Sequence, residues 1–218
     1  MGRVAVVTDS TSYLPDGVAE KYDVRVVPLH VVLGGWSGKE ATEVSPADVA
    51  AALGERRVQV STSRPTPGQL AAAYRATGAA QVVSVHLSAE LSGTADSARM
   101  AAQHVAADGI EVRVVDSRSI AMGLGFAVIA AAEAAAGGAD LDCVAAAAEQ
   151  TDTTALFYVD TLEHLRRGGR MTATSALLGT ALAVKPLLVV KDGSIGLLEK
   201  VRPLSKALAR HEELVVQA

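Results

Sequence analysis

Aromatic residues are scarce in this chain. One Trp, four Tyr and two Phe make up 3% of its 218 residues, too few platforms for stacking unpaired bases. Basic charge is not in excess either. Twenty Lys and Arg stand against 24 Asp and Glu, a formal net charge of -4, which argues against a protein that grips nucleic acid through its phosphates. A single cysteine, Cys143, allows no internal disulfide and fits a reducing compartment. Its setting ADLDCVAAAAE reads as a helix, in which Cys143 is expected to pack rather than to act as a nucleophile. The longest apolar stretch, IAMGLGFAVIAAAEAAAGG, is mostly alanine and glycine and is interrupted by Glu133, short of what a membrane span needs. MGRVAVVTDS offers no cleavage site, and Val6 stands where myristoylation requires Ser or Thr. The expectation is a soluble, cytoplasmic protein.

Catalytic signatures are missing as well. There is no G-x-S-x-G elbow, no Walker A loop and no H-E-x-x-H. His30, His86, His104, His164 and His211 are scattered without metal-ligand spacing. GLGFA (123–127) imitates part of a dinucleotide fingerprint but lacks its third small residue, so its glycines are read as close helix packing. No metal, cofactor or catalytic residue is assigned.

What is present is an alternation of short Val-rich runs with longer Ala-rich ones, the pattern of strands followed by helices. RVAVVTD, QVVSVHL and IEVRVVDS read as buried strands, and VRVVPLHVVLGG as an extended segment bent at Pro28. DGVAEKY, SPADVAAALGE, GQLAAAYRATG, SGTADSARMAAQHVA, GLGFAVIAAAEAAAGG and DLDCVAAAAEQTDT read as helices. The order implies a mostly parallel sheet covered on both faces. Near residue 152 the character changes. TALFYVD is a strand, LEHLRRGGRMTATSALLGTAL a basic turn with helical segments, and VKPLLVVKDGSIGLLEKVR a hairpin around Asp192-Gly193. Two α/β domains are therefore expected, 1–151 and 152–218, the second with a mixed or antiparallel sheet.

Two hydroxyl-rich stretches stand out, VSTSRPTPGQ (60–69) and HLSAELSGTADSA (86–98). In the first, Thr66, Pro67 and Gln69 spell a capping box, which leaves Ser61, Thr62 and Ser63 without an assigned task. In the second, Ser92 or Thr94 can cap the following helix, and Gly93 permits a close backbone approach. Both are read as loops at the carboxyl ends of parallel strands, where open α/β sheets bind ligands and helix N-termini favour anions. A third polar turn, DSTSYLP, carries Asp9, which would repel an anion and is expected to order the loop through nearby N–H groups.

The pieces TDSTSYLP, VSTSRPTPGQ, LSAELSGTADSA, VRVVDSRSIAMGLG, VDTLEHLRRGGR and KPLLVVKDGSIGLLEKVR, in this order along almost the whole chain, resemble the DegV family of bacterial fatty-acid-binding proteins. The resemblance implies two α/β domains with a long-chain fatty acid between them. The carboxylate would be held by Thr62 and Ser92, with Ser63 and Gly93 beside them. It also implies a non-catalytic protein that presents the acid to a separate fatty acid kinase, which uses ATP to make acyl-phosphate for phospholipid metabolism. Arg166, Arg167 and Arg170 match the region implied in docking that kinase, and a lipid cargo leaves room for transient membrane contact. Family members continue to an H-x-G-P-G segment whose histidine joins the carboxylate network. The chain stops at HEELVVQA, His211 does not match, and the second domain is expected to be truncated. The other reading of the same loops is an anion cradle in an enzyme for a small phosphorylated or carboxylated substrate, with His86 as the nearest candidate base.

Physically, burying an acyl chain gains ~0.8 kcal/mol per methylene, roughly 10 kcal/mol gross over a dozen. Uncharged hydroxyls would then suffice to set the register of the head group.

Overall fold

The computed structural model describes residues 2–55, 58–159, 161–171, 185–201, 209–210 and 212–213. The chain divides into two compact units, Met1–Thr153 and Thr154–Ala218. Along the first unit run β1 (Val4–Asp9), a 3-10 turn (Ser10–Ser12), α1 (Val18–Tyr22), β2 (Arg25–Val27), β3 (His30–Leu33), β4 (Trp36–Lys39), α2 (Pro46–Gly54) and β5 (Val60–Ser63). They are followed by α3 (Pro67–Ala76), β6 (Gln81–His86), α4 (Thr94–Ala106), β7 (Glu111–Asp116), α5 (Met122–Ala136) and α6 (Leu141–Glu149).

β1, β2, β6 and β7 form a parallel sheet in the order β2-β1-β6-β7. Every residue of β1 is buried, as expected of a strand covered on both faces. Strand alternation divides its side chains between two cores. Val4, Val6, Val83 and Val85 pack with Leu124, Val128 and Val144 of α5 and α6. Ala5, Val7 and Val82 pack with Leu70, Tyr74, Ala98 and Val105 of α3 and α4. Each fully buried large side chain contributes roughly 1.5–3 kcal/mol. The glycines of GLGFA do serve close packing: a Cβ on Gly125 would lie 2.7 Å from the Ser12 carbonyl oxygen.

Helix starts follow the capping chemistry of the sequence. Ser45 with Asp48, and Thr66 with Gln69, form complete capping boxes ahead of α2 and α3, each with proline in the first turn. α4 differs from expectation. Gly93 is its N-cap and no side chain caps it, because the Ser92 and Thr94 hydroxyls bond each other at 2.8 Å. Cys143 is a second correction, since it is exposed. The buried stripe of α6 is Leu141, Val144, Ala145 and Ala148, which turns position 143 outward. The Asp140 carboxylate, by hydrogen bond and then by charge, pushes the thiol above its ordinary pKa, the opposite of an activated nucleophile.

The largest correction concerns residues 60–63. They are not a loop after a parallel strand but β5, an outer strand of a separate antiparallel sheet in the order β4-β3-β5. VRVVPLHVVLGG breaks at Pro28 into β2 and β3, which belong to different sheets. Gly34 and Gly35, with φ of 57° and 96°, then reverse the chain into β4 in the tight turn that two left-handed residues permit. The hairpin supplies β3 as a partner for Val60–Ser63, whose β-branched and hydroxyl side chains suit a half-exposed ladder.

In the second unit, β8 (Ala155–Tyr158), β9 (Lys185–Lys191) and β10 (Ser194–Val201) make an antiparallel sheet in the order β10-β9-β8, and α7 (Glu163–Arg167) follows β8. Asp192 and Gly193 turn the hairpin with φ of 52° and 83°. The helical segments expected within 171–182 lie outside the described residues, apart from Met171.

Candidate functional site

The chain leaves β1 to build β2 on one side and later β6 on the other, so β1 and β6 flank the point where strand order reverses. Ligands of open α/β sheets bind outside the carboxyl ends of the strands at such a point. Here that edge is anchored by Asp9, which is wholly buried. Its Oδ1 accepts from the backbone N–H and the hydroxyl of Thr11. Its Oδ2 accepts from the Leu87 N–H at 3.1 Å and from His86 Nδ1 at 2.9 Å. His86 Nε2 lies 2.8 Å from Ser84 Oγ, which in turn accepts from the Tyr74 hydroxyl at 2.9 Å. With Tyr74 donating to Ser84, the Ser84 proton goes to Nε2, and Nδ1–H donates to Asp9. The order Ser–His–Asp matches a hydrolase triad. Yet Ser84, His86 and Tyr74 have no exposed surface, so no substrate reaches them. This buried run of hydrogen bonds is a structural clamp.

The 3-10 turn that Asp9 holds leads into a cavity of about 700 Å³, within the roughly 300–1,000 Å³ typical of small-molecule sites. All its lining residues belong to the first unit. The wall is mostly apolar: Leu14, Val26, Val31, Val44, Val49 and Val60 contribute. The polar part of the lining is Ser10, Ser12, Tyr13, Asp16, Glu20, Glu40, Ser45 and Thr62. Glu40 is tied down by the Ser10 hydroxyl and, at 3.1 Å, by the Tyr13 hydroxyl, while Ser10 Oγ accepts from the Leu29 N–H at 2.9 Å. Partial burial, then the charge of Glu40 and its hydrogen bond, raise the Tyr13 pKa.

Of the expected carboxylate-binding residues, Thr62 lines this cavity. It stands beside Val31 across the ladder and two residues from Val60, on one face of β5. Ser63 falls on the opposite face, paired with His30, whose Nε2 meets the Gln69 amide nitrogen at 2.9 Å. Ser92 and Gly93 sit in the turn before α4. That turn is joined to the end of β5 by Arg64, whose Nη1 donates to the Gly93 carbonyl at 3.2 Å. In the second unit, Arg166, Arg167 and Arg170 surround Gly168-Gly169 and are exposed. Arg167 pairs with Glu163, and Arg170 donates to the Gly168 carbonyl.

Sequence reasoning missed Ser10, Tyr13 and Glu40 as cavity residues and did not single out Arg64. For the β3–β4 hairpin, whose Val31 lines the cavity, Gly34-Gly35 between two extended runs was the available signal. No local signal marks Glu40, whose partners lie 27 and 30 residues away.

The fold and the cavity define an α/β protein whose parallel sheet, covered by helices, stands beside a small antiparallel sheet that walls a mostly apolar cavity. The chain belongs to the DegV family, whose model, described as "Uncharacterised protein, DegV family", matches residues 3–218. It is 53% identical over 217 residues to the DegV domain-containing protein SCO2569 of Streptomyces coelicolor, covering 97% of this chain and 76% of that protein. Among solved structures it resembles Bacillus subtilis DegV, described as a fatty acid binding protein, at 33% identity and a TM-score of 0.87, covering 100% of this chain and 78% of that one. It also resembles a Thermus thermophilus DegV family protein described by its fatty acid binding, at 37% identity and a TM-score of 0.85, covering 94% and 74%. No described helix is long and apolar enough to cross a membrane.

Proposed function

We propose that this protein is a non-catalytic fatty-acid carrier. It binds a long-chain acid with the tail in the first unit's cavity and the carboxyl group near Thr62, toward the turn that carries Ser92 and Gly93. The observation that carries the reading is the 700 Å³ cavity with Val60 and Thr62 side by side on its wall, an apolar run that ends in a hydroxyl. The fatty acid binding for which the B. subtilis and T. thermophilus relatives are described supports it. Tail burial at ~0.8 kcal/mol per methylene supplies the affinity, and the polar groups fix which end is presented. Ser63, on the other face of β5, acts by holding the strand end rather than by facing the tail.

The carried acid is presented to a separate fatty acid kinase, which phosphorylates the carboxylate with ATP to give acyl-phosphate, in the cytoplasm and with transient membrane contact during exchange. Arg166, Arg167 and Arg170 form the docking patch for that partner, an exposed cationic turn suited to an acidic surface. The enzyme reading loses its base. His86 is buried with both ring nitrogens engaged, whereas a general base must reach a substrate proton.

Organic extraction and mass spectrometry of protein purified from cells tests the carrier reading directly. Bound fatty acid is expected, and protein that is empty and refuses added oleate or palmitate would refute it. Thr62→Ala is expected to weaken oleate binding about ten- to a hundredfold, the worth of one hydrogen bond to a charged group, with an unchanged melting temperature. Kinase-dependent acyl-phosphate formation that persists after Arg166, Arg167 and Arg170 are all changed to Ala would remove the docking role.

A further inference from the structure

We infer that Arg64 makes the head-group site selective for a charged acid over an uncharged lipid, and that Gly93 seats its guanidinium; the inference rests on the fatty-acid reading above. Arg64 follows Thr62 and Ser63 at the end of β5. Its backbone is held from the other side by buried Pro65 and by the Thr66–Gln69 capping box. From there the side chain crosses to the turn before α4, where Nη1 donates to the Gly93 carbonyl at 3.2 Å. The guanidinium lies where a side chain at 93 would begin: a Cβ there would be 1.6 Å from Nη1 and 2.7 Å from Cζ. Gly93 has φ of −75° and ψ of 19°, torsions open to residues other than glycine. Backbone strain therefore does not call for glycine at this position. The space that a side chain at 93 would take is occupied by the Arg64 guanidinium.

The cation is uncommitted. Arg75, Arg99 and Arg113 of the same unit each hold a carboxylate, whereas among the described residues none pairs with Arg64. One N–H is spent on Gly93, and the others remain for a ligand. Arg64 follows the β5 hydroxyls in the chain, and the turn it reaches carries the mutually bonded Ser92 and Thr94. An ionised carboxylate placed there receives charge-assisted hydrogen bonds, roughly twice as strong as the neutral bonds an alcohol would receive.

The test compares oleate with oleyl alcohol on delipidated protein by calorimetric titration. Wild type is expected to favour oleate by about tenfold, and the preference shrinks as salt rises. Arg64→Ala is expected to bring the ratio to within about threefold, and Gly93→Ala to do the same while Arg64 is still present, because its new methyl group displaces the guanidinium. Arg64→Lys keeps part of the preference. Arg64→Ala protein, folded by circular dichroism, that retains the full wild-type ratio overturns the inference and leaves the carrier reading intact. Binding of neither lipid by wild type overturns both.

Discussion

The two sheets of the first unit divide the work between them. β1 and β6 of the parallel sheet are buried on both faces and carry the cores. The antiparallel sheet is short and half exposed, and one of its faces walls the cavity. The difference teaches that the cores and the cavity wall sit on different strands, joined through Asp9, whose carboxylate bonds both the β6 end and the turn that enters the cavity. Changes in the parallel sheet should unfold the protein, and changes in the antiparallel sheet should empty it.

The largest effect tests the join. Asp9→Ala leaves the Thr11 and Leu87 N–H groups and His86 without their acceptor, and a loss of about 3–5 kcal/mol is expected in urea denaturation. A loss below 1 kcal/mol would mean the clamp is not an anchor. Next in size, Val60→Trp fills the cavity wall from β5. Displacing about three methylenes of a bound tail weakens oleate binding roughly fiftyfold, while stability moves by less than about 1 kcal/mol. Unfolding by this variant would erase the contrast between the sheets.

Tyr74 sharpens the comparison from the core side. Burial pushes its pKa up to about 12, against about 10 in an unfolded chain. The folded state then holds the phenolic proton more tightly than the unfolded one. Its contribution is complete below about pH 10 and is lost as pH rises toward 12. Urea midpoints should fall across that window, and less so in Tyr74→Phe. The smallest effect is expected at Thr8, whose buried hydroxyl has no partner among the described residues. Thr8→Val removes an unpaired polar group with little change of shape, and stability should stay level or rise slightly. A loss above 1 kcal/mol would reveal a partner for that hydroxyl.

Much of the fold was legible locally. Ser45-Pro46 and Thr66-Pro67-Gly68-Gln69 announce helix starts because a cap needs only residues three positions away. Asp192-Gly193 announces its hairpin because both turn positions need left-handed torsions. VAVVTD is apolar without alternation because β1 is covered on both faces. The candidate site was less legible. Thr62 was singled out among the hydroxyls yet placed on a loop, because nothing within a few residues of 60–63 says that β3, some thirty residues earlier, will pair with it. The Ser92–Thr94 bond replaced the expected cap for a similar reason, since either hydroxyl could have turned to the backbone.

The sequence alone determined most of the helices, the caps of α2 and α3 and the parallel character of the sheet that holds β1, β6 and β7, because periodicity and capping act over one turn of chain. Only the tertiary structure decided that Thr62 faces a cavity, that Arg64 lies on Gly93 across 29 residues and that Asp9 meets His86 across 77. Those contacts follow from which strands pair, and strand pairing is settled by the burial of whole faces, which a single segment cannot register.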